Sequence, residues 1–123
     1  MNYAPILLFV YNRPLHTRRC IESLLNNALA SESELFIYAD GAKDATQQEI
    51  VNDVRSYIHT IQGFKRVTFI ERGENWGLAR NIIDGVTMQV NRSGRVIVLE
   101  DDLVVAPQYL QFMSDALEIS EDA

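Results

Sequence analysis

The stretch Ile6-Leu7-Leu8-Phe9-Val10, followed at once by Tyr11-Asn12-Arg13-Pro14, sets the terms for the whole chain. Consecutive apolar residues leave no position for the polar face of a half-exposed strand. The run therefore predicts a strand covered on both sides, the pattern of parallel sheets. Three further runs repeat it: Leu35-Phe36-Ile37-Tyr38, Val67-Thr68-Phe69-Ile70 and Val96-Ile97-Val98-Leu99.

The intervening stretches carry helical spacing. Pro14 suits the first turn of a helix whose apolar positions are Cys20, Ile21, Leu24, Leu25, Ala28 and Leu29. Thr46-Gln47-Gln48-Glu49 has the form of a capping box ahead of Ile50, Val51, Val54, Ile58 and Ile61, with Gly63 as the stop. Leu78, Ile82, Val86 and Val90 recur every fourth residue and Gly94 closes that helix. Pro107 opens a last one carrying Leu110, Met113, Ala116 and Leu117. Four strands alternating with four helices predict an α/β fold, a three-layer α/β/α sandwich with a mostly parallel sheet and right-handed crossovers.

The chain has 123 residues, 47% hydrophobic and 23% charged, which is one globular domain and excludes disorder. A net charge of −6 argues against nucleic acid or an anionic membrane as partner. Part of that charge is local: Asp115, Glu118, Glu121 and Asp122 close the chain with no base among them. Cys20 is the single cysteine, so no disulfide or thiolate metal site is expected. No apolar run reaches the ~20 residues that span a bilayer. The start lacks the basic region of a secretory signal, which predicts a cytoplasmic protein.

In an open parallel sheet, ligands sit beyond the carboxyl ends of the strands. The residues leaving the four runs are Tyr11-Asn12-Arg13, Asp40-Gly41-Ala42-Lys43, Glu71 through Gly77, and Glu100-Asp101-Asp102. Three adjacent carboxylates leaving a buried strand repel one another. Their hard oxygens suit Mg²⁺ or Mn²⁺, but a solvated loop ahead of a helix N-terminus would look the same. In an extended segment Glu100 and Asp102 would share one side and Asp101 take the other. Asp40 can accept from a base N–H, or simply form an Asp-Gly turn. Arg13 and Arg80 each suit a phosphate or a neighbouring acid. Trp76 can stack on a base or sugar, or anchor packing. His16, His59 and Cys20 read as surface, surface and core.

With these residues in hand, the chain resembles GT-A glycosyltransferases of the family-2-like and N-acetylglucosaminyltransferase I-like kind. Ile6–Arg13 with Arg18-Arg19-Cys20-Ile21 and Leu24-Leu25 is similar to that group's opening strand and helix. Ala39-Asp40-Gly41 resembles its second-strand acidic motif, with one acid in place of the common doublet. Asn75-Trp76-Gly77-Leu78-Ala79-Arg80-Asn81 resembles the family-2 N-x-G…A-R-N segment, with a shorter gap. Leu99-Glu100-Asp101-Asp102-Leu103, followed by Val105-Ala106-Pro107, resembles the E-D-D form of the metal-binding motif.

The resemblance implies a Rossmann-like fold of the nucleotide-diphospho-sugar transferase type. It implies a UDP-sugar donor bound through Mn²⁺ or Mg²⁺, with Asp102 as the metal ligand. Asp40 would hold the uracil, Arg13 and Arg80 would lie near base or diphosphate, Glu100 and Asp101 would contact sugar and ribose hydroxyls, and Asn12 and Gly41 would complete the substrate-binding set. It further implies that residues 1–123 form one donor-binding domain ending before an acceptor-binding half. The general base would then lie elsewhere, the isolated chain would be inactive, and an uncovered apolar surface would favour a homo-oligomer. Two other readings stand beside it: a non-catalytic nucleotide-sugar-binding or interaction domain, and a Mg²⁺-binding receiver-type signalling domain. Against the second, Tyr11-Asn12-Arg13 stands where a receiver carries its acid pair, and no lysine follows the fourth run.

Overall fold

A computed structural model describes residues 3–122, with side chains through Glu118, so the side chains of Glu121 and Asp122 lie outside the described set. The strands are β1 (Ile6–Val10), β2 (Glu34–Ala39), β3 (Arg66–Glu71) and β4 (Ile97–Glu100). The helices are α1 (Pro14–Leu25), α2 (Gln48–Ile58), α3 (Leu78–Ser93) and α4 (Tyr109–Asp122), with 3₁₀ turns at Ala28–Glu32 and Ala45–Gln47. The sheet order is β3-β2-β1-β4 and every pair is parallel. Ile6 lies opposite both Leu35 and Ile97, and Val10 opposite Ala39.

Strand alternation divides the core in two. Ile6, Leu8, Val10, Leu35, Ile37, Ala39, Ile97 and Leu99 face α1, α2 and α4, packing on Cys20, Ile21, Leu24, Val54, Ile58 and Leu110. Leu7, Phe9, Phe36 and Tyr38 face α3, against Ile82 and Val86. The result is the expected three-layer α/β/α sandwich. Among the described residues no helix is long and apolar enough to cross a membrane.

Local differences from the sequence reading have physical causes. Ala28 and Leu29 lie in a 3₁₀ turn rather than in α1, which stops at Leu25. Buried Asn27 explains the break: its amide donates to the carbonyls of Ser23 and Ala106, and its Oδ1 accepts from Leu110 N–H. That side chain ties the end of α1 to the start of α4. Thr46 does not cap α2, whose N-cap position is Gln47 without a side-chain bond; Asp44 caps the preceding 3₁₀ turn, accepting from the Thr46 backbone N–H at 3.0 Å and from its hydroxyl. Ile61 and Gly63 lie beyond the end of α2 at Ile58, Pro107 precedes α4 by a turn, and Ala116 faces solvent.

The row of α3 pressed to the sheet is Asn81, Gly85 and Gln89, not Leu78 and Val90. Gly85 permits this, since a Cβ there would stand 3.0 Å from the ring tips of both Phe9 and Tyr38. β4 is an edge strand whose α3-side face is open: Ile97 and Leu99 are buried, while Val98 and Glu100 are exposed. Coverage on both faces therefore holds for β1 and β2 but not for β4. Large apolar side chains left exposed include Ile83, Val104 and Phe112.

Candidate functional site

The chain runs outward from β1 through β2 to β3, then returns to place β4 on the other side of β1. Strand order thus reverses at the β1–β4 seam, and connections on either side of such a seam leave a crevice at the carboxyl ends. A cavity of about 440 Å³ opens there. The loops after β1, β2 and β4 and the start of α3 form its walls.

Arg13, the residue before α1, reaches across the seam to Asp101, with Nη2 2.5 Å from Oδ1. Asp101 is buried and Arg13 is half-exposed, so a fixed guanidinium borders the opening. Burial pushes the Asp101 carboxyl above the ordinary range; the Arg13 hydrogen bond and charge work against that shift. Glu100 ends β4 and lines the cavity, and a turn begins at Asp101. The strand alternation expected through the acidic triplet therefore stops early. Glu100 and Asp101 border the cavity together, while Asp102 is exposed beside it and is not among the lining residues.

Asp40 sits at the carboxyl end of β2, buried, and both its oxygens are occupied. Oδ1 accepts from the backbone N–H of Gly41 at 2.9 Å and of Trp76 at 2.8 Å. Oδ2 accepts from Gly77 N–H at 2.9 Å and from the Asn75 amide at 3.1 Å. A carboxylate with four N–H donors is a strong organiser, and it fixes residues 75–77 at the head of α3. Gly41 is required for the same approach, because its N–H donates to the Glu74 carbonyl and a Cβ there would collide with that backbone. From behind, Arg55 Nη2 donates to the carbonyls of Asp40 at 3.2 Å and Arg72 at 2.7 Å, clasping the ends of β2 and β3.

Trp76 carries a guanidinium on each side: Arg72 stands 3.6 Å and Arg80 3.9 Å from the ring centre. Two guanidinium groups so close to one ring cannot share a face, so neither face is open to a sugar or base. Arg80 is spent on this stack and does not line the cavity. Arg72 is itself held by Asn81 and Asp84.

Asn12 lines the cavity and donates to Gln47 at 2.8 Å. The structure thus brings Asn12, Arg13, Asp40, Glu100 and Asp101 to one opening, sets Gly41 behind Asp40, and leaves Arg80 and Asp102 off its lining. Sequence reasoning gave no role to Phe9, Tyr38 and Asn81, which also line it. The two rings lie inside strands, where they read as core, and only the α3-facing parity at the strand ends could have singled them out.

Glu100, Asp101 and Asp102 offer hard oxygens at one strand end. Among the described residues no three His, Cys, Asp or Glu side chains converge to hold a metal ion by themselves. Such a donor set fits a cation that takes one or two protein oxygens and completes its shell with phosphate and water.

An open parallel sheet flanked by helices, with a cavity at its switch point walled by Asp40 and by the acidic end of β4, has the architecture of the nucleotide-diphospho-sugar transferase type of fold. The sequence model of glycosyl transferase family 2 matches residues 6–122, and the chain belongs to that family. Among solved structures it is similar to S. aureus TarS, with a TM-score of 0.61 at 14% identity, over 93% of this chain and 19% of that one. The chain therefore spans less than a fifth of TarS, and the likeness is one of fold. Among curated proteins no match was found.

Proposed function

We propose that this domain binds a nucleoside-diphosphate sugar, a UDP-sugar by preference, for transfer of a hexosyl or N-acetylhexosaminyl group to an acceptor hydroxyl. The observation that supports this most is Arg13: a guanidinium fixed by a buried carboxylate at the switch point of the sheet, beside the uncapped first turn of α1. In glycosyl transfer the bond between the anomeric carbon and the diphosphate oxygen breaks, and its electron pair leaves with the diphosphate. A planar cation held in place before the reaction stabilises that growing charge without reorganising.

Asp102 is the proposed protein ligand to Mn²⁺ or Mg²⁺, with Glu100 and Asp101 toward the sugar and ribose hydroxyls. When bound, the cation supplies Lewis-acid stabilisation of the departing diphosphate. Asn12, Asp40 and Gly41 border the base end. A base N–H reaches Asp40 by displacing the Asn75 amide, the longest of the four bonds it receives. We assign no general base within this chain.

Isothermal titration with UDP tests the reading, in buffer containing Mn²⁺ and in buffer containing EDTA. Binding in both is expected, tighter by roughly tenfold or more with Mn²⁺. Asp102→Ala is expected to erase that difference. A chain that binds no UDP under either condition contradicts the proposal.

A further inference from the structure

We infer that Lys43 is a second cation, beside Arg13, that meets the donor's diphosphate, an assignment that rests on the donor reading above. The charged groups lining the cavity are Arg13, Asp40, Lys43, Glu100 and Asp101. Carboxylates outnumber cations, yet the proposed ligand is itself strongly anionic, so a cation with capacity to spare is needed. Arg13 is engaged with Asp101. Asp40 is committed to four N–H groups. Lys43 differs: among the described residues no side-chain hydrogen bond or ion pair holds its ammonium. The adjacent acid, Asp44, feels the Lys43 charge, but its hydrogen bonds go to the backbone and hydroxyl of Thr46 and it forms no ion pair with the ammonium.

The backbone of Lys43 is fixed even though its side chain is exposed. Its N–H donates to the Tyr11 hydroxyl at 2.9 Å, which ties the loop after β2 to the loop after β1. The Asn12–Gln47 hydrogen bond, 2.8 Å, makes a second tie between the same two segments. Lys43 therefore rises from a loop stapled to the residues that precede Arg13, and its four-carbon stem carries a mobile point charge to the opening. Such an ammonium suits phosphate oxygens whose positions change as a diphosphate leaves. Arg13 would hold one fixed position and Lys43 would follow the other.

The test is a set of NMR shift titrations of the whole chain with UDP and with uridine, in EDTA so that protein cations alone meet the phosphates. Lys43→Gln is expected to weaken UDP about tenfold while leaving uridine within about twofold. Lys43→Arg, which keeps the charge, is expected to stay within about threefold of the wild type for UDP. Unchanged UDP affinity in Lys43→Gln, an equal loss for uridine, or an equal loss in Lys43→Arg overturns the assignment while leaving the donor reading intact. A wild-type chain that binds neither UDP nor uridine overturns both.

Discussion

The Arg13 guanidinium and the Asp101 carboxylate meet at 2.5 Å across the seam between β1 and β4. The two lie 88 residues apart in sequence, and one is buried while the other borders solvent. The pair joins the strand that opens the fold to the one added on the far side of the switch. Truncating Arg13 leaves a buried carboxylate without its partner, which costs more than a surface ion pair is worth. Arg13→Ala is expected to lower unfolding free energy by about 1–2 kcal/mol in urea, with a smaller loss in the Arg13→Ala, Asp101→Ala double variant than the two single losses combined.

Asp40 is expected to be less tolerant than its position in an Asp-Gly dipeptide suggests. Asp40→Asn keeps the shape but removes the charge and turns one oxygen into a donor facing N–H groups. A loss of about 2–3 kcal/mol is expected by chemical denaturation. Asn75→Ala, which removes one of four donors, is expected to cost about 1 kcal/mol or less.

How much of this was legible in the sequence follows from where each signal originates. Ile6–Val10 and Leu35–Tyr38 announced themselves because both of their faces are covered. Val98 misled because β4 is an edge strand, and an apolar residue there needs no cover within residues 3–122. The contact row of α3 was hidden, since Asn81, Gly85 and Gln89 carry no hydrophobic period and the space for Gly85 is set by Phe9 and Tyr38 from distant strands. The rim of Arg13, Asp40 and Glu100 was legible, because parallel topology places every strand's carboxyl end on one side. What each side chain does there was not. Asp40 is engaged by residues 75–77, 35 or more positions away, which leaves no trace in local pattern, and Arg80 turns to Trp76, four residues before it, because Arg72 takes the other face of the ring.

Arg80 provides a direct check on that last point. Because it stacks on Trp76 outside the cavity, Arg80→Ala is expected to leave UDP affinity within about twofold and to cost about 0.5–1 kcal/mol of stability. Trp76 is the single tryptophan. Its fluorescence is therefore expected to shift in Arg80→Ala without UDP, which equilibrium titration and emission spectra measure together.

Cys20 is fully buried, and its burial, reinforced by the charges of Asp101 and Asp102, pushes the thiol up from 9.0 to about 12. In the folded chain it stays protonated through the range where an exposed thiol ionises. Native protein at pH 8.5 is expected to resist iodoacetamide, and protein in 8 M urea, a denaturing concentration, to react readily. The same shift sets a sign. The unfolded thiol ionises first, so stability is expected to fall as pH rises from about 9 toward about 12, a slope that Cys20→Ala makes shallower while Tyr57 and Tyr109, whose hydroxyls burial also pushes up, keep their share.

The most direct measurement is a crystal structure of the chain with UDP and Mn²⁺. The diphosphate is expected at the β1–β4 seam between Arg13 and Lys43, with the metal on Asp102. Nucleotide bound away from that seam, or a seam left empty at saturating UDP and Mn²⁺, would contradict the proposal.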